Sequence, residues 1–159
     1  MLISNPSSNH LEAIQNLFSE HQNSRLIIVS PFLATEVHSL LSKFNFSTLT
    51  SVELITTFKV NDIEQLTKPY QIRDFFEFFK KQFPNINVKV HINNSLHGKL
   101  YFSLAESEQK LLITSANFTN NGLLINDEWG FQTRDTDSIS QALEEVFSQI
   151  DLECMTYTQ

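Results

Sequence analysis

Residues 97–104 read His97-Gly98-Lys99-Leu100-Tyr101-Phe102-Ser103-Leu104. In an extended chain side chains alternate between two faces, so Leu100, Phe102 and Leu104 share one and His97, Lys99 and Tyr101 the other. An imidazole and an ammonium then stand as neighbours on one surface, and Gly98 between them lets another backbone or a ligand approach closely. The bland alternative is that His97 and Lys99 decorate the solvated face of a half-buried strand. The sequence that follows shifts the balance. Thr114-Ser115-Ala116-Asn117 ends the next strand, and Glu128 comes eleven residues after Asn117, just before Trp129 and Gly130.

Working outward, the pattern on the C-terminal side is strand-like: Ile86 to Ile92, a turn at Asn93 and Asn94, His97 to Leu104, Leu111 to Ser115, and Trp129 to Thr133. A last helix over Ser138 to Ile150 places Ile139, Leu143, Val146 and Ile150 on its apolar face. On the N-terminal side, Ser8 or Asn9 caps a helix carrying Leu11, Ile14, Leu17 and Phe18, and Arg25 to Ser30 reads as a buried strand ended by Pro31. A helix over Ala34 to Phe44, a strand over Val52 to Thr56 and a helix over Tyr70 to Phe83 follow. Ile72, Phe75, Phe76, Phe79 and Phe83 fall on one face of that third helix and are read as core, with a dimer interface as the alternative use of the aromatic excess. The opening order of helix, strand, helix, strand favours an α/β sheet covered by helices.

The chain has 159 residues, with three Gly, four Pro and no linker-like or repeated segment, which suits one domain spanning 1–159. Leu26 to Val29 is its longest aliphatic run, far short of the roughly 20 residues of a membrane span, and no leader pattern opens it. It therefore reads as soluble and cytoplasmic, with no membrane partner. The single cysteine, Cys154, has no disulfide or zinc partner and is read as a free thiol. A net charge of −7 argues against a general polyanion binder. Yet residues 59 to 110 hold eight Lys and Arg against six acids, whereas residues 111 to 159 hold one against eight, a distribution that leaves room for a locally positive face without locating it.

His-x-Lys, a Ser-x-Asn element closing the next strand, and a downstream Glu resemble the signature of the phospholipase D-like superfamily over roughly Leu96 to Phe131. Ser30-Pro31-Phe32 after the first strand resembles it too. Compact chains with one motif are similar to bacterial nucleases and to the catalytic domains of metal-independent restriction endonucleases. The resemblance implies a mixed β-sheet flanked by helices on both faces. Two positions depart from the motif: Leu104 stands where an Asp follows the Lys by five residues, and Thr114 where Gly precedes the Ser.

A phosphodiester is anionic and repels nucleophiles. An enzyme without a metal must neutralise the non-bridging oxygens, attack with a group uncharged at neutral pH, and protonate the leaving oxygen. Neutral imidazole, with a pKa of about 6.5, suits attack, and imidazolium suits donation. The resemblance implies two histidines in these two roles and a covalent phosphohistidine intermediate. With one motif per chain, the second His97 has to come from a second copy, which makes a homodimer part of the mechanism. Lys99 and Asn117 then hold phosphate oxygens, Ser115 supports them, and Glu128 orients a histidine. No cofactor and no metal is implied. Asp127 beside Glu128 could attract a cation, but neighbours on a strand point to opposite faces.

The leading expectation is a metal-independent DNA endonuclease, in restriction or phage defence, with specificity supplied by a partner or a fused recognition domain. The alternatives are a lipid phosphodiesterase, for which no basic membrane-surface helix is evident, and a catalytically weak dimerisation or nucleic-acid-binding module, for which Leu104 and the acidic C-terminal third are the motive. His10, His21, His38 and His91 lack partners at recognisable spacing and are read as surface or hydrogen-bonded residues.

Overall fold

The computed structural model describes residues 1–5, 9–59, 61–63 and 66–155, the last three of them by backbone alone. Runs of β-branched and aromatic residues form one mixed sheet: β1 (Leu2–Ser4), β2 (Ser24–Val29), β3 (Leu49–Thr56), β4 (Asn87–Ile92), β5 (Lys99–Leu104), β6 (Gln109–Thr114), β7 (Trp129–Thr133) and β8 (Leu152–Met155). Across the sheet the order is β1-β7-β6-β5-β2-β3-β4-β8. The central β2, β3 and β4 are parallel, and β5, β6, β7, β1 and β8 join antiparallel. Parallel neighbours need crossovers, supplied by α2 (Val37–Leu41) and α3 (Lys68–Gln82).

Those two helices and α1 (His10–Ser19) cover one face, burying Ile14, Leu17, Phe18, Leu40, Ile72, Phe75 and Phe79 against Leu26, Ile28, Leu54, Tyr101 and Leu112. A smaller core on the opposite face joins Ile27, Val29, Ile55, Phe102 and Leu111 to Ile139 of α4 (Thr136–Ser148), with Leu143, Val146 and Phe147 packed at its edge. The fold is thus α/β with helices on both faces. The α3 phenylalanines lie in the core; Phe78, which falls outside the expected stripe, is buried with them.

Asn9 caps α1 by accepting from Glu12 N at 2.8 Å, whereas Ser8 lies outside the described residues. The helix expected over Ala34 to Phe44 is confined to Val37–Leu41. The amide of Gln71 draws off the carbonyls of Leu33 and Ala34 at 3.4 and 3.2 Å, and Leu33 forms an isolated parallel bridge with Phe118. At the other end, Lys43 N and Phe44 N turn back three residues to Leu40 O and Leu41 O. His97 and Gly98 precede β5 because neither neighbour extends far enough to pair them: Leu100 is opposite Val29 and Lys99 opposite Thr114, each the last residue of its strand. Cys154 lies in the backbone of β8, and its side chain is outside the described residues. Among the described residues no helix is long and apolar enough to cross a membrane.

Candidate active site

Three adjacent antiparallel strands, β5, β6 and β7, bring the chemistry-bearing residues to one end of the sheet. Lys99 opens β5 opposite Thr114, and Thr114 is opposite Gly130. Ser115 N, one residue beyond β6, donates to Trp129 O at 3.0 Å, which fixes the start of β7 against the Ser115-Ala116-Asn117 segment. Glu128 and Asp127 lie in the loop before β7 rather than within the strand.

The Ser115 hydroxyl donates to Glu128 Oε2 and accepts from Trp129 N at 3.1 Å. Within one chain, the carboxylate expected to orient a histidine is therefore engaged by a serine. Asn117 Oδ1 faces the Ser30 hydroxyl and the Phe32 N–H, both at 3.4 Å. Its amide nitrogen is then the end left to donate to a ligand. Ser30 Oγ also accepts from Phe118 N at 2.9 Å, so the exit of β2 and the residue after Asn117 are tied together. The Ser30-Pro31-Phe32 turn thereby belongs to the site. Tyr101 is fully buried below and donates to Ala116 O at 3.0 Å; burial first, and then the Glu128 charge, hold its hydroxyl protonated.

His97 is exposed and Lys99 half-buried, and among the described residues neither side chain makes a hydrogen bond or ion pair. Gly98 has nothing within 4 Å of where a Cβ would stand. The monomer leaves the His97 ring, the Lys99 ammonium and the space at Gly98 accessible.

No sequence-family model matches the chain, and no functionally curated protein matches it. Solved structures do. NucT from Helicobacter pylori superposes with a TM-score of 0.57 at 17% identity, over 99% of this chain and 98% of that one. Nuc from Salmonella typhimurium, a phospholipase D family member, gives 0.60 at 12% identity over 99% and 97%. Phosphatidylserine synthase from Haemophilus influenzae gives 0.59 at 16% identity, over 99% of this chain and 39% of that one. The chain has the phospholipase D-like fold.

Within the phospholipase D-like fold the two departures from the motif have different surroundings. Leu104 ends β5, about 16 Å along the strand from Lys99 at 3.3 Å per residue, and packs against the small core under α4. Its side chain lies at the far end of the strand from the site. Thr114, in contrast, is buried immediately behind Ser115 and bonds to His10.

The basic excess of residues 59–110 yields a smaller positive surface than its count suggests. Lys68 and Lys110 are buried, Lys110 is paired with Glu20, and Arg73 is paired with Asp74 at 2.9 Å. Among the described residues, His and carboxylate groups converge at Glu20-His21-Glu108 and at His38-Asp74-Glu77, both apart from Asp127 and Glu128. In the first, Lys110 and Arg134 already neutralise the two glutamates. His91 is bonded to the buried Glu53 at 2.9 Å, and Glu53 also holds Arg25 at 2.5 Å; the His91 ring and the Arg25 guanidinium both approach the Phe147 ring of α4.

One surface feature lies outside the motif. Leu2, Ile113, Trp129 and Phe131 are 62%, 49%, 57% and 55% exposed. Phe131 is opposite both Ile113 and Leu2, and Trp129 is opposite Ser4, so the four share the α4 face of the sheet beyond the helix's reach. Trp129, which follows Glu128 directly in the chain, lies in this open strip. Its alternation with Phe131 around Gly130 was the available signal.

Proposed function

We propose that this protein is a metal-independent phosphodiesterase that cuts DNA at a site built by two copies of the chain. The observation that carries the reading is the convergence of Lys99, Ser115, Asn117 and Glu128 at the end of three adjacent strands, beside an accessible His97. In this mechanism His97 of one copy attacks phosphorus through a ring nitrogen, the bond to the leaving oxygen breaks, and the imidazolium of the other copy's His97 gives that oxygen its proton. Water then attacks the phosphohistidine, losing its proton to the second, now neutral, imidazole. The first histidine is released and the phosphate ends as a monoester. Lys99 and the Asn117 amide nitrogen neutralise the non-bridging oxygens, while Ser115 and Glu128 hold the surrounding segments.

The open apolar strip supports a second copy, because a contiguous exposed patch with two aromatic residues is typical of an interface and this one borders Ser115 and Glu128. Gly98, with open space around it, suits the close approach of a phosphate or of the partner's backbone. A role in restriction or phage defence is the finer form of the proposal and requires sequence specificity from a partner or an additional domain.

The test is cleavage of labelled single- and double-stranded DNA in excess EDTA at low salt, comparing the native protein with His97→Ala. Cleavage that survives EDTA and falls at least about a thousandfold in the variant is expected. Failure of the native protein to cut either substrate overturns the proposal.

A further inference from the structure

His10, Asn5 and Thr114 form a chain of buried polar groups directly behind Ser115, Asn117 and Glu128. His10 opens α1 and is completely buried, and Asn5 is 2% exposed. The Asn5 amide nitrogen donates to Gly122 O at 3.0 Å and Asn126 O at 2.9 Å, which uses both its hydrogens and turns Oδ1 toward His10. That oxygen accepts from the His10 backbone N–H and from Nδ1, each at 3.0 Å. Nδ1 therefore carries the ring proton. Burial holds the imidazole below its usual pKa despite the Glu128 charge, so Nε2 is left as an acceptor, 2.8 Å from the Thr114 hydroxyl.

Thr114 Oγ1 also accepts from Ala116 N at 3.0 Å, and its single hydrogen is shared between His10 Nε2 and Trp129 O, the latter at 3.1 Å. Ala116 sits between Ser115 and Asn117, and Trp129 follows Glu128. Asn5 N closes the circuit by donating to Glu128 O at 3.1 Å. One buried network thus grips the segment on each side of the candidate site. Gly130 makes room for it, since a Cβ there would stand 3.0 Å from His10 Nε2 and from Thr114 Cβ. A glycine at position 114, as the motif leads one to expect, would supply no hydroxyl to either side.

We propose that His10, acting through Thr114, is a positioning residue that holds the Ser115–Asn117 segment and Glu128 in register before substrate arrives. This rests on the phosphodiesterase reading above. The two segments carry the phosphate-binding amide and the carboxylate, and a displacement of about 1 Å between such groups can cost two orders of magnitude in rate.

The experiment compares the native protein with Thr114→Val, which keeps the shape and removes the hydroxyl, and Thr114→Ser, which restores it. Leu17→Ala, in the buried face of the same helix, serves as a destabilised control away from this network. Each is measured for thermal midpoint, for kcat and KM on a DNA oligonucleotide, and for acrylamide quenching of Trp129, the only tryptophan in the chain. The expected result is a fall in kcat of about tenfold or more in Thr114→Val with KM changed by less than about threefold. Thr114→Ser returns toward native values, and Leu17→Ala keeps its kcat despite a lower midpoint. If Thr114→Val does not fold, His10→Leu removes the partner and leaves the hydroxyl, with the same loss expected. Equal kcat in Thr114→Val and the native protein overturns the inference, as does an equal loss in Leu17→Ala. If the native protein cuts nothing, the phosphodiesterase reading fails and the quenching decides separately. A slope altered in Thr114→Val but not in Leu17→Ala supports the positioning role, and an unaltered slope overturns it.

Discussion

Lys68, the first residue of α3, is 2% exposed, and among the described residues its ammonium bonds to uncharged oxygens: Pro31 O at 2.6 Å, Thr56 Oγ1 at 3.0 Å and Thr57 Oγ1 at 3.5 Å. Burial pushes its pKa down to about 8 from 10.5. The carbonyl it grips lies between Ser30 and Phe32, which both reach Asn117, so a buried cation braces the turn beside the site. Below pH 8 the folded and unfolded chains both carry this proton. Between 8 and 10.5 the folded chain has released it while the unfolded chain still holds it, and stability rises with pH. Relative to Lys68→Met, the native protein should gain about 2 to 3 kcal/mol of unfolding free energy from pH 7 to pH 10. Urea titrations of both proteins across that range measure the difference, and a flat difference would show that the ammonium is not desolvated. This residue was not legible as special in the sequence, because a lysine before Pro69 has the local pattern of any helix start.

At the scale of elements, the loop from β6 to β7 closes through a π-helical turn, Asn121–Ile125, in which Asn126 N donates to Asn121 O at 2.7 Å. Gly122 is packed so closely that a Cβ would stand 2.5 Å from the carbonyl oxygen of Asn117 and 3.0 Å from its nitrogen. Backbone cannot yield as a flexible side chain would, so Gly122→Ala should cost about 1 to 3 kcal/mol and shift Asn117. Gly98→Ala meets nothing in the monomer. It should leave the thermal midpoint within about a degree yet lower DNA cleavage, because in the proposed two-copy site that space is taken by the ligand or the partner. A shared loss of stability in both variants would contradict this division. The long elements were legible in sequence: apolar runs at Leu26–Val29 and Val52–Thr56 and the helical spacing of Ile72, Phe75 and Phe79 all sit where their periodicity puts them. The edge strands β1 and β8 were not, being three and four residues long and defined only by their neighbours. Nor was the His10–Thr114 bond, which joins residues 104 apart. His-x-Lys and Ser-x-Asn were legible as local patterns, but the start of β5 after His97 depends on where β2 and β6 end.

For the molecule as a whole, the sheet is covered fully on one face and incompletely on the other. α4 buries Ile139 and shields the middle of its face, while Leu2, Ile113, Trp129 and Phe131 remain open beside the site. In a two-copy site each active centre draws one His97 from each subunit, so a mixed dimer containing one His97→Ala chain has only half of the required pair and is inactive. After exchange with a roughly ninefold excess of the variant, native subunits find one another rarely, and activity should fall to about one-tenth of the value for the same native protein alone. Independent monomers would keep full activity at any ratio, which is the result that would sink the shared site. Phe131→Glu supplies the matching structural test. Phe131 is already 55% exposed in one chain, so the charge costs the monomer little, whereas a desolvated carboxylate at a subunit contact is expensive. Sedimentation should then show monomers with a native thermal midpoint at high dilution, and Trp129 emission should become independent of protein concentration at its solvent-exposed wavelength. A Phe131→Glu protein that sediments as a dimer would move the contact elsewhere on the surface and leave the open strip without an occupant.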